Sequence, residues 1–366
     1  MSIPKRPAAA SRVAPVSSAP RRGGRASVSR RAQALRSLGL TCPVCYGALC
    51  KVEGERAEGS IASIAPPEEL SCSSCGRSYA SSSNFFDLSI LPTEALGGNL
   101  VDALTTENPG YRERNWSVSQ LFQSPVISYV YERGWRQGFD WAGFPGADEE
   151  FDIVKKMYSD TRTGEAEGGP DDAVLDVSCG TGLFSRKFLK SGMFKTVVAS
   201  DYSANMLDQA YSFLNESESG GRSDDDPDLL FVRADVSRLP FERNTFDLVH
   251  AGAAIHCWPT PSTGISDICR VLKPGGRLIG STFLLSASPL GERLGSDDIV
   301  RPLFEIEKEF SGGLMPGLTG RTYRFWSEKE LKDLCELCGL ENFSVVRKNR
   351  FIMYCATKKK APSPSV

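Results

Sequence analysis

Residues 173–214 read AVLDVSCGTGLFSRKFLKSGMFKTVVASDYSANMLDQAYSFL, and their rhythm decides the fold class. A short apolar run, Ala173–Ser178, leads into a loop carrying Gly180 and Gly182. Leu183, Phe184 and Phe188 then fall at helical spacing before Gly192 closes the segment. Thr196–Ser200 is a second apolar run, and Ser203 caps a second helix reaching Leu214. Strands alternating with helices predict a parallel α/β sheet. Glycines where a strand turns into a helix let a ligand approach the backbone, and the helix start offers free N–H groups.

The same alternation continues outward. Leu229–Asp235, Phe246–Gly252 and Gly276–Leu284 read as strands, with helices over Ser262–Leu272 and Ser327–Gly339. Two late strands, FSVVRK and RFIMYCAT, follow. NESESGGRSDDDPD (Asn215–Asp228) reads as a solvated acidic loop.

The glycine loop alone leaves two ligands open. Gly180-x-Gly182-x-x-Ser185 approximates a dinucleotide-binding turn, and Asp201 stands 19 residues past Gly182, where a ribose-binding acid belongs. Asp176 weighs against that reading. A carboxylate beside the loop repels a pyrophosphate and suits a ligand with an amino group and a sulfonium. Its alternative role is to cap the helix or bond the loop.

The stretches VLDVSCGTG, VVASDYSANML, VRADVSRLPF, NTFDLVHAGAAIHCW and RVLKPGGRLI, in this order, resemble the class I S-adenosylmethionine-dependent methyltransferase family. The resemblance covers 173–284 and, more loosely, the chain to 357. It implies a Rossmann-like, mostly parallel seven-stranded sheet with helices on both faces, and S-adenosylmethionine as cofactor. It places Asp176, Ser178, Gly180 and Gly182 at the methionine end, with Ser178 standing where the family has its first glycine. Asp201 takes the ribose hydroxyls, Tyr202 and Met206 flank the adenine, and Asp235 with Val236 meets the adenine amino group. The chemistry asks mainly for alignment of an acceptor with an activated methyl group. Of the two histidines, His250 and His256, the second lies in the loop after the fourth strand and is the candidate general base.

Upstream, Cys42-Pro-Val-Cys45 and Cys72-Ser-Ser-Cys75 form two knuckles separated by 26 residues. Each C-x-x-C turn can aim two thiolates at one tetrahedral ion, so Cys42, Cys45, Cys72 and Cys75 are expected to hold a structural Zn2+ in a zinc-ribbon-like module over 41–90. Redox dithiols, or a vestigial site that no longer holds metal, are the alternatives. The order CPVC, CSSCG, FFDLSI and then a class I domain also resembles bacterial ribosomal RNA guanine-N1 methyltransferases, in which the module contributes to RNA recognition.

Residues 1–40 hold nine Lys or Arg and no acid, among many Ser, Ala and Pro. That composition predicts an organelle transit peptide, chloroplast rather than mitochondrial, over a disordered basic tail. The rest of the chain has 34 basic and 45 acidic residues, a net charge of −11 that attracts phosphate backbones poorly. No run of 18 apolar residues occurs, so no spanning helix is expected.

SPVISYVYERGWRQGF, VSCGTGLFSRKF and HAGAAIHCWPTPS are similar to a group of plant and algal chloroplast proteins described as methyltransferases, some associated with plastoglobules. This implies a chloroplast protein of the stroma, thylakoid or plastoglobule, with peripheral association to lipid bodies. Residues 91–170 read as a helical connecting region and linker, 171–358 as the methyltransferase domain and 359–366 as a tail. Within the domain, 285–326 is too long for a simple connection and reads as a cap whose aromatics, with Tyr131, Trp135 and Trp258, would enclose an apolar acceptor. A small, quinone- or prenyl-lipid-like acceptor is the expectation, and RNA is the alternative.

Overall fold

The structure is a computed structural model, and it describes residues 38–51, 69–90, 143–159, 171–217, 227–284 and 326–360. Residues 1–37 of the leader, 91–142 and 160–170 of the connecting region and linker, 218–226 of the acidic loop and all but the last residue of the cap therefore lie outside the described residues.

The cysteine module contributes β1 (Leu49–Lys51), β2 (Leu70–Cys72) and β3 (Ser78–Tyr79), an antiparallel three-stranded sheet in the order β1-β2-β3. A short β4 (Phe86–Asp87) and helix α1 (Ala147–Ser159) come next. The main domain then alternates as β5 (Ala173–Val177), α2 (Leu183–Ser191), β6 (Thr196–Asp201), α3 (Ala204–Ser217), β7 (Asp228–Arg233), β8 (Phe246–Ala251), α4 (Pro261–Val271) and β9 (Leu272–Phe283). It closes with α5 (Glu328–Leu337), β10 (Leu340–Lys348) and β11 (Phe351–Lys358).

The main sheet runs β10-β11-β9-β8-β5-β6-β7-β4. Its pairings are parallel except around β11, which is antiparallel to both neighbours. This is the expected Rossmann-like methyltransferase sheet with one difference. There are eight strands, because β4 from the cysteine module adds itself to the outer edge of β7.

Period-2 alternation sorts each strand between two apolar layers. Val174, Val197, Ala199 and Leu248 face α1, α2 and α3, where Phe151, Phe188 and Leu207 meet them. Leu175, Val177, Val198 and Val249 face α4 and α5 through Ile265, Ile268 and Leu331. The second layer is continuous with the cysteine module: Leu40, Leu70, Tyr79 and Phe86 join the same cluster as Val232, Leu239 and Phe241. Both faces are thus covered, as parallel strands require. No helix among the described residues is long and apolar enough to cross a membrane.

Gly182 is one place where only glycine fits. Its φ is +73°, and a Cβ there would sit 2.9 Å from the Ala210 Cβ of α3. Gly182→Ala is expected to cost about 2 kcal/mol from left-handed strain and overpacking. Thermal denaturation checks this, and an unchanged midpoint would mean that the loop relaxes freely.

Candidate functional site

A cavity opens at the carboxyl ends of β5, β6, β7 and β8, where β5 is flanked by β6 on one side and β8 on the other. Sheet order reverses there, which is where ligands enter open α/β sheets. Most of the sequence-predicted cofactor residues meet in it. Ser178 and Gly180 come from the loop after β5, and Asp201, Tyr202 and Met206 from the end of β6 and the start of α3. Asp235 and Val236 follow β7.

Asp201 is positioned by backbone. One carboxylate oxygen accepts the Gly180 N–H at 2.9 Å and the other the Ser203 N–H at 2.8 Å. Burial pushes its carboxyl above the usual range, against the pull of those amides. The side chain still reaches the cavity surface, where it can accept hydroxyl protons. Asp235 caps a 3-10 turn, Val236–Arg238, by accepting from the Ser237 amide and hydroxyl, both at 2.8 Å. Only one of its oxygens is used in this way, so the other remains for a ligand amino group.

Ser178 holds φ +54°, a backbone state that explains glycine at this point of the family loop. Its hydroxyl accepts the indole N–H of Trp258 at 3.1 Å, a bond between the two loops that frame the cavity. Trp258 also lines the cavity, with Gly252, Ala253, Ala254, Cys257 and Pro259. Apart from Trp258, sequence reasoning did not single these out. The signal available was the small-residue run Gly252–Ala254 directly after a buried strand.

Three predicted residues stand elsewhere. Gly182 shapes the loop behind the cavity wall, against α3. Asp176 is buried at 2% exposure and fully engaged: one oxygen accepts from the Ser185 hydroxyl at 2.6 Å, and the other bonds His250 Nδ1 at 2.7 Å. Its carboxylate therefore ties β5 to α2 and to β8 beneath the loop and does not bond the loop itself. His256 does not line the cavity. It sits at 4% exposure with Nδ1 3.0 Å from the Thr282 hydroxyl and its ring 4.9 Å from that of Phe283.

Burial lowers the His256 pKa to about 3, so the imidazole stays neutral in the fold. The unfolded chain takes up that proton near pH 6.5. The stability this neutral histidine contributes is complete above about pH 6.5 and lost as pH falls towards about 3, by up to about 1.4 kcal/mol per unit. Urea titrations at pH 7 and pH 4.5 are expected to show His256→Gln losing about 2 kcal/mol less than the parent over that interval. Equal losses would contradict the placement.

The four predicted metal ligands meet at the module's two knuckles, with all four sulfurs within 4.8 Å of one another. Cys42 and Cys75 are 3.7 Å apart and Cys45 and Cys72 3.4 Å, so none is a disulfide. A tetrahedral ion with bonds of about 2.3 Å to sulfur needs neighbouring sulfurs at nearly this separation. Amides already point at two of them: Val44 N–H at Cys42, and Ser74 and Cys75 N–H at Cys72. Burial opposes ionisation of Cys72, and the Cys75 and Ser74 amides together with hydrogen bonds from the Cys45 and Cys75 thiols outweigh it, bringing the thiol to about 7.

Similarity to known proteins agrees with this geometry. The description "methyltransferase domain" matches residues 175–280. An Arabidopsis thaliana protein named as an uncharacterized chloroplastic methyltransferase is 37% identical over 322 residues, covering 87% of this chain and 78% of the relative. A second Arabidopsis protein of the same description is 38% identical over 319 residues, with the same coverage. A demethylmenaquinone methyltransferase of Clavibacter sepedonicus is 34% identical over 122 residues, 33% of this chain and 45% of that one. Identity of this extent over most of both chains, on a fold whose sheet order and cavity fit the activity, shows that the protein belongs to the S-adenosylmethionine-dependent methyltransferase family.

Proposed function

We propose that this methyltransferase acts in the chloroplast on a small apolar or aromatic acceptor of the quinone or prenyl-lipid kind. The observation that carries the reading is the polarity of the cavity. Two carboxylates, Asp201 and Asp235, line it together with the apolar Ala253, Ala254, Trp258 and Pro259. The chloroplastic relatives support the compartment, and the partial match to a demethylmenaquinone methyltransferase supports the acceptor class. The net charge of −11 outside the basic leader weighs in the same direction.

In this reading Asp201 binds the ribose hydroxyls, Tyr202 and Met206 flank the adenine, and Asp235 with Val236 meets its amino edge. The cofactor's sulfonium supplies an activated methyl group. The protein's part is to hold donor and acceptor in line and keep water out. No histidine among the described residues lines the cavity, and burial, with Asp201 adding to it, pushes the Cys257 thiol up to about 12. The site therefore suits an acceptor whose nucleophilic atom gives up its own proton readily, such as a phenol or an enolisable ring carbon. The module's four cysteines hold one Zn2+ in a structural role.

Purified full-length chain, incubated with methyl-labelled S-adenosylmethionine and either plastid lipid extract or plastid RNA, tests the acceptor class. Label in the organic phase alone supports the proposal. Label in RNA overturns it.

A further inference from the structure

We propose that the cysteine module is a clamp for the adenine side of the cofactor cavity, with Arg238 as the positioning residue that links metal occupancy to cofactor affinity. The inference rests on the cofactor and zinc readings above. Segment 233–242, which begins at the last residue of β7, carries Asp235 and Val236 to the cavity, and beyond Arg233 it forms one 3-10 turn. The module holds that segment at three places.

At its start, β4 lies along β7, pairing Phe86 with Val232 and Asp87 with Arg233. The Leu88 N–H donates to the Arg233 carbonyl at 2.9 Å, and the Arg233 guanidinium meets Asp87 at 2.8 Å. At its end, the Thr41 N–H donates to the Pro240 carbonyl and the Glu242 N–H to the Gly39 carbonyl, both at 2.9 Å. Between these, Arg238 closes the turn and reaches into the first knuckle. Its Nε donates to the Pro43 carbonyl and its Nη2 to the Val44 carbonyl, both at 2.6 Å, with the guanidinium 5.5 Å from the Tyr46 ring centre.

Pro43 and Val44 are the two residues between Cys42 and Cys45. Where their carbonyls point depends on how the two thiolates are held, so an ion in the knuckle fixes the acceptors for Arg238. Tyr46 extends the contact to α4: its hydroxyl donates to Asp267 at 3.2 Å, and the Arg270 guanidinium lies 4.3 Å from its ring centre. Asp267 also accepts the Leu239 N–H. Tyr46 at the tip of the first knuckle is thus bonded to the domain, which favours an internal role for that knuckle.

Coupling of this kind is reciprocal: if the ion tightens cofactor binding, the cofactor retards loss of the ion. The test uses full-length, zinc-loaded protein. Calorimetry gives S-adenosylhomocysteine affinity, and a colorimetric chelator gives the rate of zinc release with and without S-adenosylhomocysteine. In the parent, saturating ligand is expected to slow release several-fold. Arg238→Ala is expected to weaken S-adenosylhomocysteine about tenfold, within the usual range of such couplings, and to abolish the protection. KM for S-adenosylmethionine should rise with it while kcat moves less. Arg238→Lys keeps the charge and loses the fork, and it should fall between the two. It also serves as the deciding variant if the alanine chain does not fold. Unchanged affinity in the folded variant, or zinc release indifferent to ligand in the parent, overturns the clamp. Zinc-free parent protein refutes the metal reading instead, and the affinity of the Arg238 variants then judges the clamp by itself.

Discussion

A Cys72→Ser chain is expected to retain less than about a tenth of an equivalent of zinc and to lose about 3 kcal/mol or more of stability, because metal binding in a small module is folding free energy. Cys72 is the most telling of the four. It lies in β2 at 3% exposure, and its sulfur accepts the Ser74 and Cys75 amides. The loss should not stay local. The module's Leu40, Leu70, Tyr79 and Phe86 share one apolar cluster with Val232, Leu239 and Phe241, so loosening the knuckles exposes part of the domain's own core. Elemental analysis and thermal denaturation together decide it. A parent with no zinc after metal-replete expression, or a variant melting like its parent, would end the structural-zinc reading.

The second large effect belongs to Asp201. Asp201→Ala should weaken cofactor binding by about 2–4 kcal/mol, since a charged acceptor of two hydroxyls is lost and the Gly180 and Ser203 amides lose theirs as well. The pH dependence follows from the same carboxyl. Burial raises its pKa, so it takes up a proton at higher pH than an ordinary aspartate. The charged form is the one that binds, so affinity is full above that raised value and declines as pH falls through it. Calorimetry of parent and variant across acid to neutral pH checks both parts. A variant with parental affinity would remove Asp201 from the site.

How much of this could be read from the residues depends on the range of the interaction. The strands of the main sheet were legible because parallel strands buried on both faces read as continuous apolar runs, as in Ala173–Val177 and Thr196–Asp201. Asp201 was legible because it ends such a run three residues before a helix. The cysteine set was legible from spacing alone. β4 was not, since two residues give no periodicity and its partner in β7 lies more than a hundred residues away. The fate of Asp176 was hidden for the same reason, because His250 is 74 residues further on. His256 misled because its loop returns to the core against Thr282 instead of facing the cavity. The docking of Arg238 on Pro43 and Val44 spans 195 and 194 residues and leaves no local trace.

The central claim is that the cavity at the ends of β5 to β8 is an S-adenosylmethionine site. The most direct measurement is a calorimetric titration of the full-length protein with S-adenosylhomocysteine and, separately, with NAD. The account predicts one S-adenosylhomocysteine bound per chain and no heat from NAD. Saturable NAD binding with none for S-adenosylhomocysteine would contradict it.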